Sequence, residues 1–146
     1  MTENLYKTIV VGIDGTEYSK NVISTAVELA KLTDAKLHAV YVSDVSNIVP
    51  TSVEWQLVAE NLKIEAEAAF ASIREKTEEL GVACETVNLS GSAAQELVQY
   101  ANQVNADLII VGAAGKKALE RLLLGSVSEK VIRSAKQNVL VIRSKP

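Results

Sequence analysis

The sequence predicts an α/β fold, a three-layer open sheet of five mainly parallel strands. Two observations carry that prediction. Short β-branched runs recur along the chain between longer stretches of helical spacing. The resulting order is β-α-β-α-β-α-β-α-β, and a helix between successive strands implies parallel pairing through right-handed crossovers. In addition, no internal repeat, linker or shift of composition interrupts the 146 residues, a length suited to one domain over 1–146.

The first strand is Thr8-Ile-Val-Val-Gly-Ile13, a continuous apolar run of the kind buried on both faces. It ends at Asp14-Gly15-Thr16, and a helix follows over about 17–33 with Val22, Ala26, Leu29 and Ala30 on one face. Lys36 to Val42 is the second strand. Residues 43–53 carry Ser, Asp, Asn and Pro50 and read as a loop. A long helix is expected over about 54–80, where Val58, Leu62, Ala66, Ala69, Ile73 and Leu80 step by threes, fours and one seven. Gly81 stops it, glycine being the cheapest left-handed cap. Val82 to Leu89 is the third strand. Ser92 and Gln95 form an S-x-x-Q capping box opening a helix through about Val104. Asp107 to Gly112 is the fourth strand, a helix covers about 126–136, and Val139 to Ile142 is the fifth strand.

Composition removes several functions. One histidine (His38) and one cysteine (Cys84) rule out a disulfide framework and a His/Cys zinc site within one chain. Fifteen Lys+Arg against eighteen Asp+Glu give a net charge of −3, which disfavours binding to a nucleic-acid backbone. The N-terminus lacks the basic region and longer apolar run of a signal peptide, and no apolar stretch approaches the roughly 18 residues that span a bilayer. A soluble cytoplasmic protein with no membrane or nucleic-acid partner is expected.

In open parallel sheets, ligands bind beyond the carboxyl ends of the strands, where the strand order reverses. The informative strand end is Gly112-Ala113-Ala114-Gly115, followed after nine residues by Gly125-Ser126-Val127-Ser128-Glu129. Two glycines there let backbone amides approach a bulky anion. The helix opening at Gly125-Ser126 adds unpaired N–H groups and about half a positive charge. Together they would cradle a polyphosphate through main-chain donors. The same residues also fit a β-turn and an ordinary cap, with Ser126 and Glu129 as a capping box. Other nucleotide motifs fail. Ile110 stands where a P-loop needs its first glycine, and Gly12-Ile-Asp-Gly15 lacks the G-x-G-x-x-G spacing.

The spacing Gly112-x2-Gly115-x9-Gly125-Ser126 resembles the ATP-binding signature of the universal stress protein family. The resemblance runs from Thr8-Ile-Val-Val-Gly-Ile-Asp14 to Asn138-Val-Leu-Val-Ile142. It implies a doubly wound, Rossmann-like fold of the nucleotide-binding α-hydrolase-like kind, holding ATP between the ends of the first and fourth strands. Asp14 would then bond the adenine or ribose, the Val42 backbone would meet the adenine edge, and Gly12 would leave room for the base. Gly112, Gly115, Gly125 and Ser126 would hold ribose and phosphates, with Val127 and Ser128 closing the phosphate side. Mg²⁺ or Mn²⁺ would travel with the phosphates. Ala113 and Ala114 depart from relatives that carry polar side chains there, which would weaken affinity without removing the main-chain cradle.

Other readings compete at several positions. Asp14 would equally cap the following turn with Thr16, and one carboxylate without a partner cannot do paired acid–base work. A receiver domain shares the fold class but wants an acidic pair at the first strand end and a lysine at the last. His38 and Cys84 read as strand packing residues, and Trp55 as packing at the start of the long helix. Lys116, Lys117 and Arg121 read as a solvated face. The fifth strand should lie at a sheet edge, and an apolar edge invites pairing; the resemblance implies a homodimer through 138–142. The resulting function is ATP binding as a nucleotide-dependent regulatory or stress-response dimer with an unnamed protein partner, without an assigned catalytic residue. The alternatives are a slow ATPase or autophosphorylating enzyme in the same pocket, or a nucleotide-free dimeric scaffold.

Overall fold

A computed structural model describes residues 5–16, 18–44, 52–113 and 124–143. The elements are β1 (Thr8–Ile13), α1 (Ser19–Thr33), β2 (Lys36–Ser43), α2 (Val53–Leu80), β3 (Cys84–Ser90), α3 (Ala93–Gln103), β4 (Leu108–Gly112), α4 (Ser126–Ser134) and β5 (Asn138–Ile142). The strands form one sheet in the order β3-β2-β1-β4-β5, and every neighbouring pair is parallel. The expected α/β architecture is the observed one, with β5 at an edge.

Strand alternation sends side chains to two separate cores. Ile9, Val11 and Ile13 of β1 face one side with Leu37, Ala39 and Tyr41 of β2 and Ile110 of β4. There they meet Val22, Ala26 and Ala30 of α1 and Ala66, Ala69 and Ile73 of α2. Val10, Val40, Ile109 and Val111 face the other side, covered by Leu97, Val98 and Ala101 of α3 and Val131 of α4. A strand buried on both faces has no polar positions to spare, which is why β1 and β4 read as unbroken apolar runs.

The helix ends account for the small differences from the sequence-based boundaries. Gly81 caps α2 at φ 71°, and the following Val82 N–H bonds the Thr77 carbonyl at 2.8 Å. That bond belongs to the helix cap, so β3 begins at Cys84 instead of Val82. The Asp107 N–H bonds the Thr8 carbonyl while its carboxylate takes the Lys7 and Thr8 N–H groups, at 2.9 and 3.0 Å, so β4 begins one residue later. The capping box at Ser92 is not formed. Ser92 is the N-cap of α3, yet its side chain makes no cap hydrogen bond, and Glu96 lies against the bare α-carbon of Gly91. The helix α4 ends at Ser134 because Ala135 is already extended, leading into β5.

Candidate functional site

In this sheet β2 and β3 lie on one side of β1, whereas β4 and β5 lie on the other. The connections after β1 and β4 therefore leave toward opposite faces, the arrangement in which open α/β sheets bind ligands beyond the carboxyl ends of their strands. Asp14, Val42, Gly112 and the Gly125-Ser126 helix start all fall on this edge. Gly115, with Ala114, Lys116, Lys117 and Arg121, lies outside the described residues.

On the β1 side, Asp14 organises a tight turn. Its Oδ1 accepts from the Thr16 N–H at 2.9 Å, the Thr16 hydroxyl at 2.5 Å and the Ser19 hydroxyl at 2.9 Å. Ser19 Oγ in turn accepts from the Asp14 N–H at 2.9 Å. Short polar side chains that bond the backbone two residues on stabilise such turns, so the capping role weighed from sequence is realised. Ser19, which sequence reasoning passed over, is buried at the first turn of α1 and completes the arrangement.

The β2 side offers main chain. Leu37 N–H bonds Ala83 O and Ser43 O accepts from Gly91 N–H, so odd-numbered residues of β2 turn their peptide groups toward β3. Alternation then turns Val42 toward β1. The last rung between β1 and β2 is Ile13 with Tyr41, leaving Val42 one residue beyond the paired ladder. Gly12 has a packing reason of its own beside any ligand: a Cβ there would stand 2.9 Å from Leu97 Cδ2.

On the β4 side, the Ala113 N–H bonds Ile142 O at 2.8 Å and the Gly125 N–H bonds Ala113 O at 2.6 Å. These bonds fix the start of α4 against the end of β4. Gly125 is the N-cap, and no side-chain hydrogen bond caps α4. The Ser126–Glu129 capping box is therefore absent; Glu129 turns down the helix to Arg133 at 2.8 Å. First-turn N–H groups have no intrahelical acceptor, so this end presents donors and partial positive charge. Ser126 and Val127 are exposed there. Ser128 is buried, and its hydroxyl donates to the Gly125 carbonyl at 2.9 Å, shaping the helix start from within.

Two groups carry no sequence signal of their own but stand beside the Asp14 turn. The buried Tyr41 hydroxyl donates a hydrogen bond to Glu65 Oε2 of α2. Burial raises the Tyr41 phenol well above its ordinary pKa, and the Glu65 hydrogen bond and charge, then the Asp14 charge, add to the rise. His38 and Cys84 lie away from this edge. His38 Nδ1 is 2.8 Å from the Tyr100 hydroxyl, and burial pushes the Cys84 thiol pKa up, as expected of packing residues. Among the described residues no group of three or more His, Cys, Asp or Glu side chains is placed to hold a metal ion.

The fold is that of a doubly wound α/β protein in which the Asp14 turn after β1 and the start of α4 stand at the carboxyl ends of the adjacent strands β1 and β4. The chain matches the universal stress protein family over residues 5–143 and belongs to that family. A universal stress protein of Methanocaldococcus jannaschii is 44% identical over 143 residues, covering 97% of this chain and 84% of the relative. A universal stress protein solved in complex with cAMP is 28% identical with a TM-score of 0.69, covering 94% of this chain and 96% of that one. Another, from Archaeoglobus fulgidus in complex with dAMP, is 25% identical with a TM-score of 0.65, covering 94% and 98%.

Proposed function

We propose that the protein binds ATP at the carboxyl ends of β1 and β4 and that nucleotide occupancy is a regulatory state. The observation that carries this reading is the uncapped start of α4, tied to the end of β4 at the point where strand order reverses. A helix N-terminus without a side-chain acceptor favours a phosphate. The complexes of two relatives with cAMP and dAMP support an adenine nucleotide as the ligand. In this reading Asp14 bonds the adenine or ribose and the Val42 main chain meets the base edge. Gly12 keeps the end of β1 narrow. Gly112, Gly115, Gly125 and the Ser126, Val127 and Ser128 amides receive ribose and phosphates, and Mg²⁺ or Mn²⁺ arrives on the phosphates.

Regulation would follow from differential binding, since a ligand shifts only an equilibrium between states it binds unequally. ATP bound across the ends of β1 and β4 would alter a surface that a partner protein reads. We place this activity in the cytoplasm, in a homodimer joined through β5. No helix among the described residues is long and apolar enough to cross a membrane.

The test is to purify the full chain, identify any co-purified nucleotide and titrate ATP by calorimetry, then incubate with labelled ATP. Saturable ATP binding is expected, with turnover no greater than in a Ser126→Ala control. Absence of saturable binding would overturn the reading, and product formed above that control would replace it with an ATP-consuming enzyme.

A further inference from the structure

Glu65 of α2 touches both segments that border the proposed site on the β1 and β2 side. Its Oε2 accepts from Tyr41, which pairs with Ile13 across the sheet and so lies level with the residue before Asp14. The same side chain lies against the α-carbon of Gly15, so close that a Cβ at 15 would overlap Glu65 Oε1, Cγ and Cδ. One carboxylate thus joins the end of β2, the turn after β1 and the long helix above them. We propose that Glu65 is a positioning residue, bracing the Asp14–Thr16 turn in the geometry that receives the nucleotide. This rests on the nucleotide reading above.

The physical reason lies in what the turn lacks. Gly15 has no side chain of its own to restrict it, and glycine backbone is the freest in the chain. Asp14 is held from one side by Thr16 and Ser19. Glu65 lies against Gly15 in the same turn, and Tyr41 fixes the carboxylate there. A phenol 2% exposed needs a polar partner, so the pair is constrained by burial as well as by its hydrogen bond. Without the brace, the turn samples other conformations, and apparent affinity falls by the fraction of chains that remain competent.

The contact also gives glycine at 15 a role that its φ angle does not, since a Cβ there would displace the Glu65 side chain. A side chain at 15 would drive Glu65 away, so substitutions at 15 and 65 should act through the same contact. Coupled residues show non-additive effects, whereas independent ones add.

ATP affinity is measured by calorimetry on the full chain for the unmodified protein, Glu65→Ala, Glu65→Gln, Gly15→Ala and the double variant Gly15→Ala/Glu65→Ala. Glu67→Ala serves as a charge control on an exposed position of the same helix. The expected results are about tenfold weaker binding for Glu65→Ala and for Gly15→Ala, and for the double variant no more than about that loss. Glu65→Gln keeps an acceptor for Tyr41 and should bind within about threefold of the unmodified protein. The ultraviolet titration of Tyr41 should move toward the ordinary phenol range in Glu65→Ala. Unchanged affinity in Glu65→Ala, or losses that multiply in the double variant, would overturn the brace while leaving ATP binding intact. If Glu65→Ala does not fold, Gly15→Ala against Glu65→Gln decides the same question. No ATP binding by the unmodified protein would overturn the function and the brace together.

Discussion

At Asp14 a single carboxylate oxygen already has three donors: the Thr16 N–H, the Thr16 hydroxyl and the Ser19 hydroxyl. Asp14→Ala leaves those groups without their acceptor and should cost about 1–2 kcal/mol in urea denaturation. Asp14→Asn keeps an oxygen at the same place, so its stability should stay near the parent while its ATP affinity falls if the charge meets the ligand. Sequence reading named both roles of Asp14 because a carboxylate before Gly-Thr at a strand end has both. It missed Glu65, because a glutamate on a long, half-exposed helix looks like a solvated one until the helix is placed over Tyr41 and Gly15. His38 belongs at this scale too. Burial lowers its pKa below 6.5, the Lys36 charge adds to the lowering and Glu85 opposes it. The unfolded chain therefore binds the proton more readily, and stability is lost as pH falls below about 6.5 toward the folded value. Denaturation at pH 7.5 and 5.5 should show that loss, and His38→Gln should show less of it.

At the scale of elements, periodicity and glycine placement locate every strand and helix among the described residues, and the discrepancies are confined to their ends. Gly81 was legible because a left-handed cap has a residue type that favours it; Gly81→Ala, at φ 71°, should destabilise by about 1 kcal/mol. Asp34 makes the same left-handed cap on α1 at φ 57° without glycine, so Asp34→Gly should leave stability unchanged or raise it by a few tenths of a kcal/mol. Thermal and urea unfolding check both. The capping boxes were less legible. An S-x-x-Q or S-x-x-E string records which side chains are available, while neither Ser92 nor Gly125 carries a side-chain cap hydrogen bond and Glu129 pairs with Arg133. At α4 no side-chain hydrogen bond caps the first turn among the described residues, and the proposed phosphate site rests on that turn.

Across the whole molecule, the sequence predicted parallel strands but not their order, since alternation of β and α is the same for several doubly wound topologies. The order β3-β2-β1-β4-β5 is what brings residues near 14 and near 112 to the ends of adjacent strands. It also leaves β5 outermost, with Val139, Leu140, Val141 and Ile142 only partly buried in the chain. If β5 is the dimer edge, Val141→Lys should shift the protein to monomer in analytical ultracentrifugation with little change in far-ultraviolet circular dichroism. The central claim is that an adenine nucleotide binds at the carboxyl ends of β1 and β4, and amide chemical shifts followed during an ATP titration test it most directly. Saturable shifts should appear at Asp14, Val42, Gly112, Gly125, Ser126 and Val127. They should be absent at the amino ends of β4 and β5, where Asn102, Asp107, Gln137 and Asn138 line a shallow depression. Shifts confined to that depression, or no saturable shifts at the carboxyl ends of β1 and β4, would contradict the account.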